Sequence, residues 1–167
     1  MSTQPVLREG TLGEVSHLAD AFRQMWLDNA VAPDAIEPDF RERVERFVRE
    51  GRVVARLRFF LAERPSPGGH AEVVGAACCQ LFTGLYPAIL EPGVRQYGYV
   101  WGVYVAPNER RRGLGRALTE RCIDALEEIG CTHVLLHAAP PGRGVYATLG
   151  FESTNELRLT LSRRAPR

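Results

Sequence analysis

Apolar positions along this chain recur in two periods, and the switches between them mark out the elements. Val6 to Arg8 is a short strand candidate. Beyond it, Val15, Leu18, Phe22, Met25 and Trp26 fall roughly on one helical face, which predicts a helix to about Leu27. Thr11-Leu12-Gly13-Glu14 in front of it fits a capping box, a hydroxyl with a carboxylate three residues on. Asp28 to Pro38 carries prolines and reads as a loop. A second helix is expected from near Asp39 to Glu50, with Phe40, Val44, Phe47 and Val48 inward and Gly51 as its stop. Val53 to Glu63 then alternates as a strand, Pro65 to Gly69 is a turn, and Glu72 to Phe82 is its antiparallel partner.

A long loop, Gly84 to Arg95, separates these from a strand over Gln96 to Ala106. Strict alternation in that strand puts Tyr97, Tyr99, Trp101 and Val103 on one face and Gly98, Val100, Gly102 and Tyr104 on the other. The apolar stripe Leu114, Leu118, Cys122, Ala125, Leu126 and Ile129 predicts the next helix, closed by Gly130. Thr132 to Ala138 is a further, mostly apolar strand. Strand, helix, strand at this spacing is a βαβ unit, so the two strands are expected to be parallel and adjacent. Pro140-Pro141-Gly142 is a turn, Arg143 to Leu149 a short helix ended by Gly150, and Phe151 to Leu161 a final strand. There is no internal repeat or linker, so residues 1–167 read as one mixed α/β (α+β) domain.

Composition alters this picture little. The 167 residues are 45% apolar and 25% charged with a net charge of +1, ordinary globular values with no global field to attract nucleic acid or a membrane. No apolar run approaches a membrane span, and Met1 to Pro5 has no signal pattern. The expected location is therefore cytoplasmic. Arg163, Arg164 and Arg167 read as a solubilising end. The four cysteines, Cys78, Cys79, Cys122 and Cys131, are expected to be buried reduced thiols, and no metal site is expected.

Local charge says more. Pro107 ends the aromatic strand, and Gly113 and Gly115 open the next helix, flanked by Arg110, Arg111, Arg112 and Arg116. A helix start has unpaired N–H groups and a partial positive charge, so this turn is an anion site, most naturally for phosphate. No Lys-Ser or Lys-Thr follows the second glycine and a third glycine is absent, which excludes a nucleotide P-loop and the dinucleotide fingerprint.

Arg110-x-x-Gly113-x-Gly115, preceded by Val103-Tyr104-Val105 and Pro107, resembles the acyl-CoA signature of the GNAT superfamily of N-acetyltransferases. Val145-Tyr146-Ala147-Thr148-Leu149-Gly150-Phe151 resembles the same superfamily's second motif, at the usual separation. The resemblance covers Tyr99 to Phe151. It implies a central, mostly antiparallel sheet with a parallel, splayed strand pair and helices on both faces. It implies acetyl-CoA as acyl donor, held by the backbone of Val103, Tyr104 and Val105 like an added strand and by Arg110, Arg111, Arg112, Gly113, Leu114, Gly115 and Arg116 at the pyrophosphate. The acceptor it implies is a small-molecule or peptide amine, and a homodimer is compatible with it. Where many members carry an Asn that bonds the pantetheine, this chain has Ala139, and the resemblance leaves Arg143 either to replace that contact or to reach the CoA phosphates.

Such a reaction needs a neutral amine, a polarised carbonyl and a thiolate that can leave. At pH 7 fewer than about one lysine-type amine in a thousand is neutral, so a base or a water chain to one helps. A strand N–H near Val103 is the candidate oxyanion donor. Tyr146 resembles the family's general acid for the thiolate. Proton transfer from a free Tyr to a free thiolate is uphill by roughly 2 kcal/mol in water, and a buried thiolate or a lowered Tyr pKa would reverse this. Glu91, His137 and Glu156 are the candidate bases, with Tyr99 able to guide a water; the sequence singles out none. The loops Gly84 to Arg95 and Asp28 to Asp39 are expected to shape the acceptor pocket. The competing function is a non-catalytic acyl-CoA-binding or regulatory module of the same fold.

Overall fold

A computed structural model describes residues 4–65, 71–84 and 87–158. The tail arginines and most of the turn after Pro65 lie outside the described residues. Four strands run antiparallel in chain order, β1 (Val6–Glu9), β2 (Arg58–Pro65), β3 (Ala71–Leu81) and β4 (Tyr97–Val105), and β5 (His133–Leu135) pairs parallel to β4. Helices α1 (Val15–Asp28) and α2 (Phe40–Val54) cover one face, α3 (Leu114–Glu128) covers the other, and α4 (Arg143–Thr148) follows β5. The mixed sheet with a terminal parallel pair and helices on both faces is therefore present.

Two cores result. Val15, Leu18, Val48, Leu57, Phe59, Leu61 and Cys78 pack under α1 and α2, while Phe60, Val74, Cys79, Val100, Leu118, Cys122 and Leu126 pack under α3. The neighbours Cys78 and Cys79 thus point into opposite cores, as strand alternation requires. All four cysteines are free. Burial raises the Cys78 thiol well above its usual range, and a hydrogen bond with Cys79 together with burial does the same for Cys122.

Several boundaries differ from the sequence expectation. Gly51 does not stop α2, which runs to Val54; a Cβ at Gly51 would come 2.7 Å from Leu57 Cδ1, so the glycine is there for close packing. The chain turns only at Arg56, which has a positive φ of 50°, and β2 accordingly starts at Arg58 rather than Val53. The strand after α3 is shorter than expected, His133–Leu135. No strand forms over residues 151–158, and the rest of the expected Phe151 to Leu161 strand lies outside the described residues. Residues 152–156 are five consecutive polar residues that offer no apolar face to a sheet, and Leu157 is 96% exposed.

The capping residues act at the start of the α1 region. Glu14 Oε2 accepts from the Thr11 N–H (2.9 Å) and hydroxyl (2.8 Å), closing a helical turn that leads into α1. The same carboxylate pairs with Arg8 of β1, which also holds Glu63 of β2. Arg8 first, then the Thr11 bonds, hold the Glu14 carboxyl down at about 2. A carboxyl depressed in the folded state stabilises the fold above its unfolded pKa and loses that contribution as pH falls toward the folded value. Glu14→Gln should therefore lower Tm at pH 7 and leave a smaller difference from wild type as pH falls from about 4.5 to 2. Thermal melts at four or five pH values measure this; a difference that stays constant with pH would be inconsistent with it.

Candidate active site

β4 is the wall on which the site is built. Its pairing with β5 covers only Tyr97, Gly98 and Tyr99, opposite His133, Val134 and Leu135, so the two strands part beyond Tyr99. On its other edge β4 stays paired to β3, with an irregularity between Ala76 and Cys78. Ala76 faces Tyr104 and Cys78 faces Trp101, so Gly102 and Val103 together stand opposite Ala77. This is a β-bulge, and Gly102 at φ +64° supplies the left-handed residue that it needs. The bulge corrects the expected faces. Trp101 and Tyr104 pack on the α1–α2 side, whereas Val100, Val103 and Val105 all pack on the α3 side.

The turn after β4 is built to present backbone donors. Arg111 (φ 64°) and Gly113 (φ 81°) both take the left-handed conformation, and Gly113 is the N-cap of α3. The first helical backbone bond runs from Ala117 N–H to Gly113 O at 3.0 Å. The N–H groups of Arg111 through Arg116 find no acceptor among the described residues, and all lie within one turn of the positive end of α3. A Cβ at Gly113 would meet no atom within 4 Å, so the space over the turn is open to a ligand. Leu114 is buried and anchors the helix start in the α3 core.

The arginines divide by partner. Arg110 donates from Nε to Val105 O at 2.9 Å and pairs with Asp28 at the end of α1, lying 6.0 Å from the Tyr104 ring centroid. Arg112 pairs with Glu109 at 3.2 Å, and Arg116 with Glu120 at 2.9 Å. Glu109 is 2% exposed and also binds Arg64 of β2, tying the turn to the sheet. Arg111 and Arg143 have exposed guanidinium groups with no partner among the described residues. The expected basic position Arg110 therefore braces β4 against α1, and Arg111 is the side chain of the turn left for an anion. Asp28, expected to help shape a pocket, is spent on Arg110.

Tyr146 lies on α4, half-buried, with its ring edge-on to Phe151 at 5.9 Å. Its hydroxyl bonds to no described residue. Burial raises its pKa, and the nearby Cys122 of α3 pushes it the same way, so it is a protonated donor at neutral pH. The lowered Tyr pKa that would ease proton transfer to a thiolate is thus not what the surroundings of Tyr146 give.

Two of the candidate bases, His137 and Glu156, meet, and Tyr99 joins them. The Tyr99 hydroxyl contacts His137 Nδ1, and His137 Nε2 lies 3.0 Å from Glu156 Oε1. Leu135 pairs with Tyr99 and Val134 packs under α3, so His137 projects to the α1–α2 side, as Tyr99 does. Glu91 stays apart, an exposed residue in the loop before β4. That loop lines a cavity of about 530 Å³ with Phe82, Pro87, Ile89, Leu90, Arg95 and Tyr97 among its walls. Phe82 stacks on Tyr99 at 5.3 Å, so the cavity wall backs onto the Tyr99 cluster. Sequence spacing gave no sign of this grouping, because Tyr99 and His137 are 38 residues apart and His137 and Glu156 are 19 apart.

A forked β4–β5 pair, a donor-rich turn and a Tyr-bearing helix after it are what the two sequence motifs implied. The sequence profile of the acetyltransferase (GNAT) family matches residues 18–151. The chain belongs to the acetyltransferase (GNAT) family. Among solved structures, this GNAT chain is similar to a predicted acetyltransferase from Clostridium acetobutylicum solved with acetyl-CoA, with a TM-score of 0.77, 20% identity and coverage of 96% of this chain and 98% of that one. Among curated relatives, it is 39% identical over 54 residues to the chloroplastic GCN5-related N-acetyltransferase 1 of Arabidopsis thaliana, covering 32% of this chain and 27% of the relative. It is 42% identical over 52 residues to the chloroplastic serotonin N-acetyltransferase 2 of Oryza sativa subsp. japonica, covering 31% of this chain and 26% of the relative. The chain thus matches about a quarter of the length of these GNAT relatives. No described helix is long and apolar enough to cross a membrane.

Proposed function

We propose that this GNAT protein is an N-acetyltransferase that passes an acetyl group from acetyl-CoA to a primary amine by direct attack in a ternary complex. The observation that carries this reading is the run of acceptor-free N–H groups from Arg111 to Arg116, placed where β4 leaves β5. Acetyl-CoA supplies the activated acyl group. The Arg111–Arg116 amides bind its pyrophosphate, with the free guanidinium groups of Arg111 and Arg143 as further phosphate partners, while Arg110 and Arg112 hold the turn in shape. The edge of β4 at Val103, Tyr104 and Val105 bonds the pantetheine arm as an added strand would, and an N–H at Val103 polarises the carbonyl. Tyr146 gives its proton to the departing sulfur.

The acceptor reaches the fork from the α1–α2 side, past Tyr99 and the cavity beside it. The cavity's described walls include no carboxylate, which favours an amine on an apolar body over a polycation. The likeness to a relative named for serotonin points the same way. Calorimetry with acetyl-CoA, followed by thiol release with 2-phenylethylamine, serotonin and spermidine, tests the reading. Binding in the micromolar range and turnover of the two apolar amines ahead of spermidine is the expected result. Acetyl-CoA binding with no turnover of any of the three would leave a non-catalytic binding module, and no binding would remove the cofactor assignment itself.

A further inference from the structure

We propose that Tyr99, His137 and Glu156 form the proton relay that deprotonates the acceptor amine, an inference that rests on the N-acetyltransferase reading above. The three groups come from β4, the segment after β5 and the segment after α4, and they converge at the point where β4 and β5 part. Their order is fixed by two contacts, Tyr99 hydroxyl to His137 Nδ1 and His137 Nε2 to Glu156 Oε1 at 3.0 Å. A carboxylate can only accept, so the neutral ring carries its proton on Nε2 toward Glu156 and leaves Nδ1 as the acceptor for the Tyr99 hydroxyl. That tautomer is the one in which a proton can move outward from Tyr99.

The position of Tyr99 suits it to meet the amine. Its ring is pinned on Phe82 at 5.3 Å, with a 26° angle between the planes, and Phe82 lines the cavity. Burial raises the Tyr99 hydroxyl, with the Glu156 charge adding to it and a hydrogen bond from the His137 backbone opposing it, so Tyr99 is not itself the final proton acceptor. The step balances without one. An N–H bond of the ammonium breaks as an O–H bond forms at Tyr99; the original Tyr99 O–H breaks as an N–H forms at His137 Nδ1. Tyr99 is unchanged, the imidazolium faces the Glu156 carboxylate, and the amine keeps the lone pair with which it attacks. The His137 side chain is 71% exposed, so the imidazolium returns its proton to water without a further carrier. The groups facing His137 are Tyr99 from β4 and Glu156 from the segment after α4; His133, four residues before His137, is engaged instead with Thr132 and the Tyr97 ring.

This arrangement makes Tyr99 the residue that touches the acceptor, His137 the proton acceptor behind it, and Glu156 the positioning residue. A relay of this kind matters only while the amine is protonated. At pH 7 fewer than about one alkylamine in a thousand is neutral, and near pH 10 about a third is. The deficit of a relay variant should therefore shrink as pH rises, which a loss of folding or of packing would not cause.

The test uses the full chain with saturating acetyl-CoA and whichever of 2-phenylethylamine, serotonin and spermidine the wild type turns over fastest. His137→Gln and Tyr99→Phe, the second of which keeps the Phe82 stack, should each lower kcat/KM for the amine about 100-fold at pH 7 and about 3-fold or less at pH 10. Acetyl-CoA affinity by calorimetry should stay within about 3-fold of wild type for both, since neither residue lies in the donor turn. Wild-type rates for both variants at pH 7, or an equal deficit at pH 7 and pH 10, would overturn the relay while leaving the acetyltransferase reading in place. A wild type that binds acetyl-CoA and turns over none of the three amines would overturn both.

Discussion

Replacing Gly113 and Gly115 together with leucine should weaken acetyl-CoA binding at least about 100-fold in calorimetry. A hydrogen bond to a charged group contributes about 1.5–3 kcal/mol, so displacing the pyrophosphate from only two amides of the turn reaches that factor. The structure says why the loss should be one of binding and not of folding. A Cβ at Gly113 meets no protein atom within 4 Å, and one at Gly115 sits at an ordinary 3.7 Å from Val105 Cγ2. What the new side chains fill is the space in front of the free N–H groups. The fold does bear some cost, because a leucine at φ 81° is disfavoured by about 1–2 kcal/mol. For a domain of this size that is a fall in Tm of several degrees, visible by circular dichroism but far from unfolding. Unchanged affinity in the double variant would sink the assignment of this turn to the donor.

Tyr146→Phe should lower kcat about 100-fold and leave the Kd for acetyl-CoA within about 3-fold. The two parts follow from separate observations. The phenylalanine ring keeps the edge contact with Phe151, and the lost hydroxyl made no bond to any described residue, so binding has little to lose. The hydroxyl is held protonated by burial, so it is present as a donor throughout the neutral range. Its raised pKa makes the transfer harder on its own side. Dry surroundings would raise the thiol of a bound CoA as well, and the difference between the two would decide the step. An unchanged kcat would take Tyr146 out of the acid role and leave water as the proton donor.

Much of this site was legible in the chain because its signals are local. Two glycines two apart after Pro107, and Tyr146 four residues before Gly150, mark a turn and a short helix whatever the rest of the fold does. Four things were not legible, each for a physical reason. Gly51 looked like a helix stop, but what it meets is Leu57, a tertiary contact. Val103 was expected on the Trp101 face because alternation is the default, and a bulge depends on which residues the partner strand offers. The final strand was expected from Phe151 and the residues after it, yet the polar run 152–156 gives it no face to bury. The grouping of Tyr99, His137 and Glu156 is more distant still. It exists only because β4 and β5 are parallel neighbours and the chain after α4 returns to their fork. Arg110 shows the opposite case, a position marked by the motif whose side chain the fold uses as a brace.

The bulge at Gly102 gives β4 two phases. Before it, odd-numbered residues look toward α1 and α2; after it, they look toward α3. One strand thus serves two faces, and in the proposed reaction Tyr99 would meet the acceptor on one stretch while the edge at Val103 and Val105 would hold the donor on the other. On the proposed reading, acceptor preference could drift through changes on the near stretch while the far stretch kept the donor. Deleting Gly102 would return the strand to plain alternation in step with β3 and leave Trp101 and Tyr104 facing α1 and α2, and Val103 and Val105 facing α3, so the bulge changes the numbering of the faces and the local twist rather than their occupants.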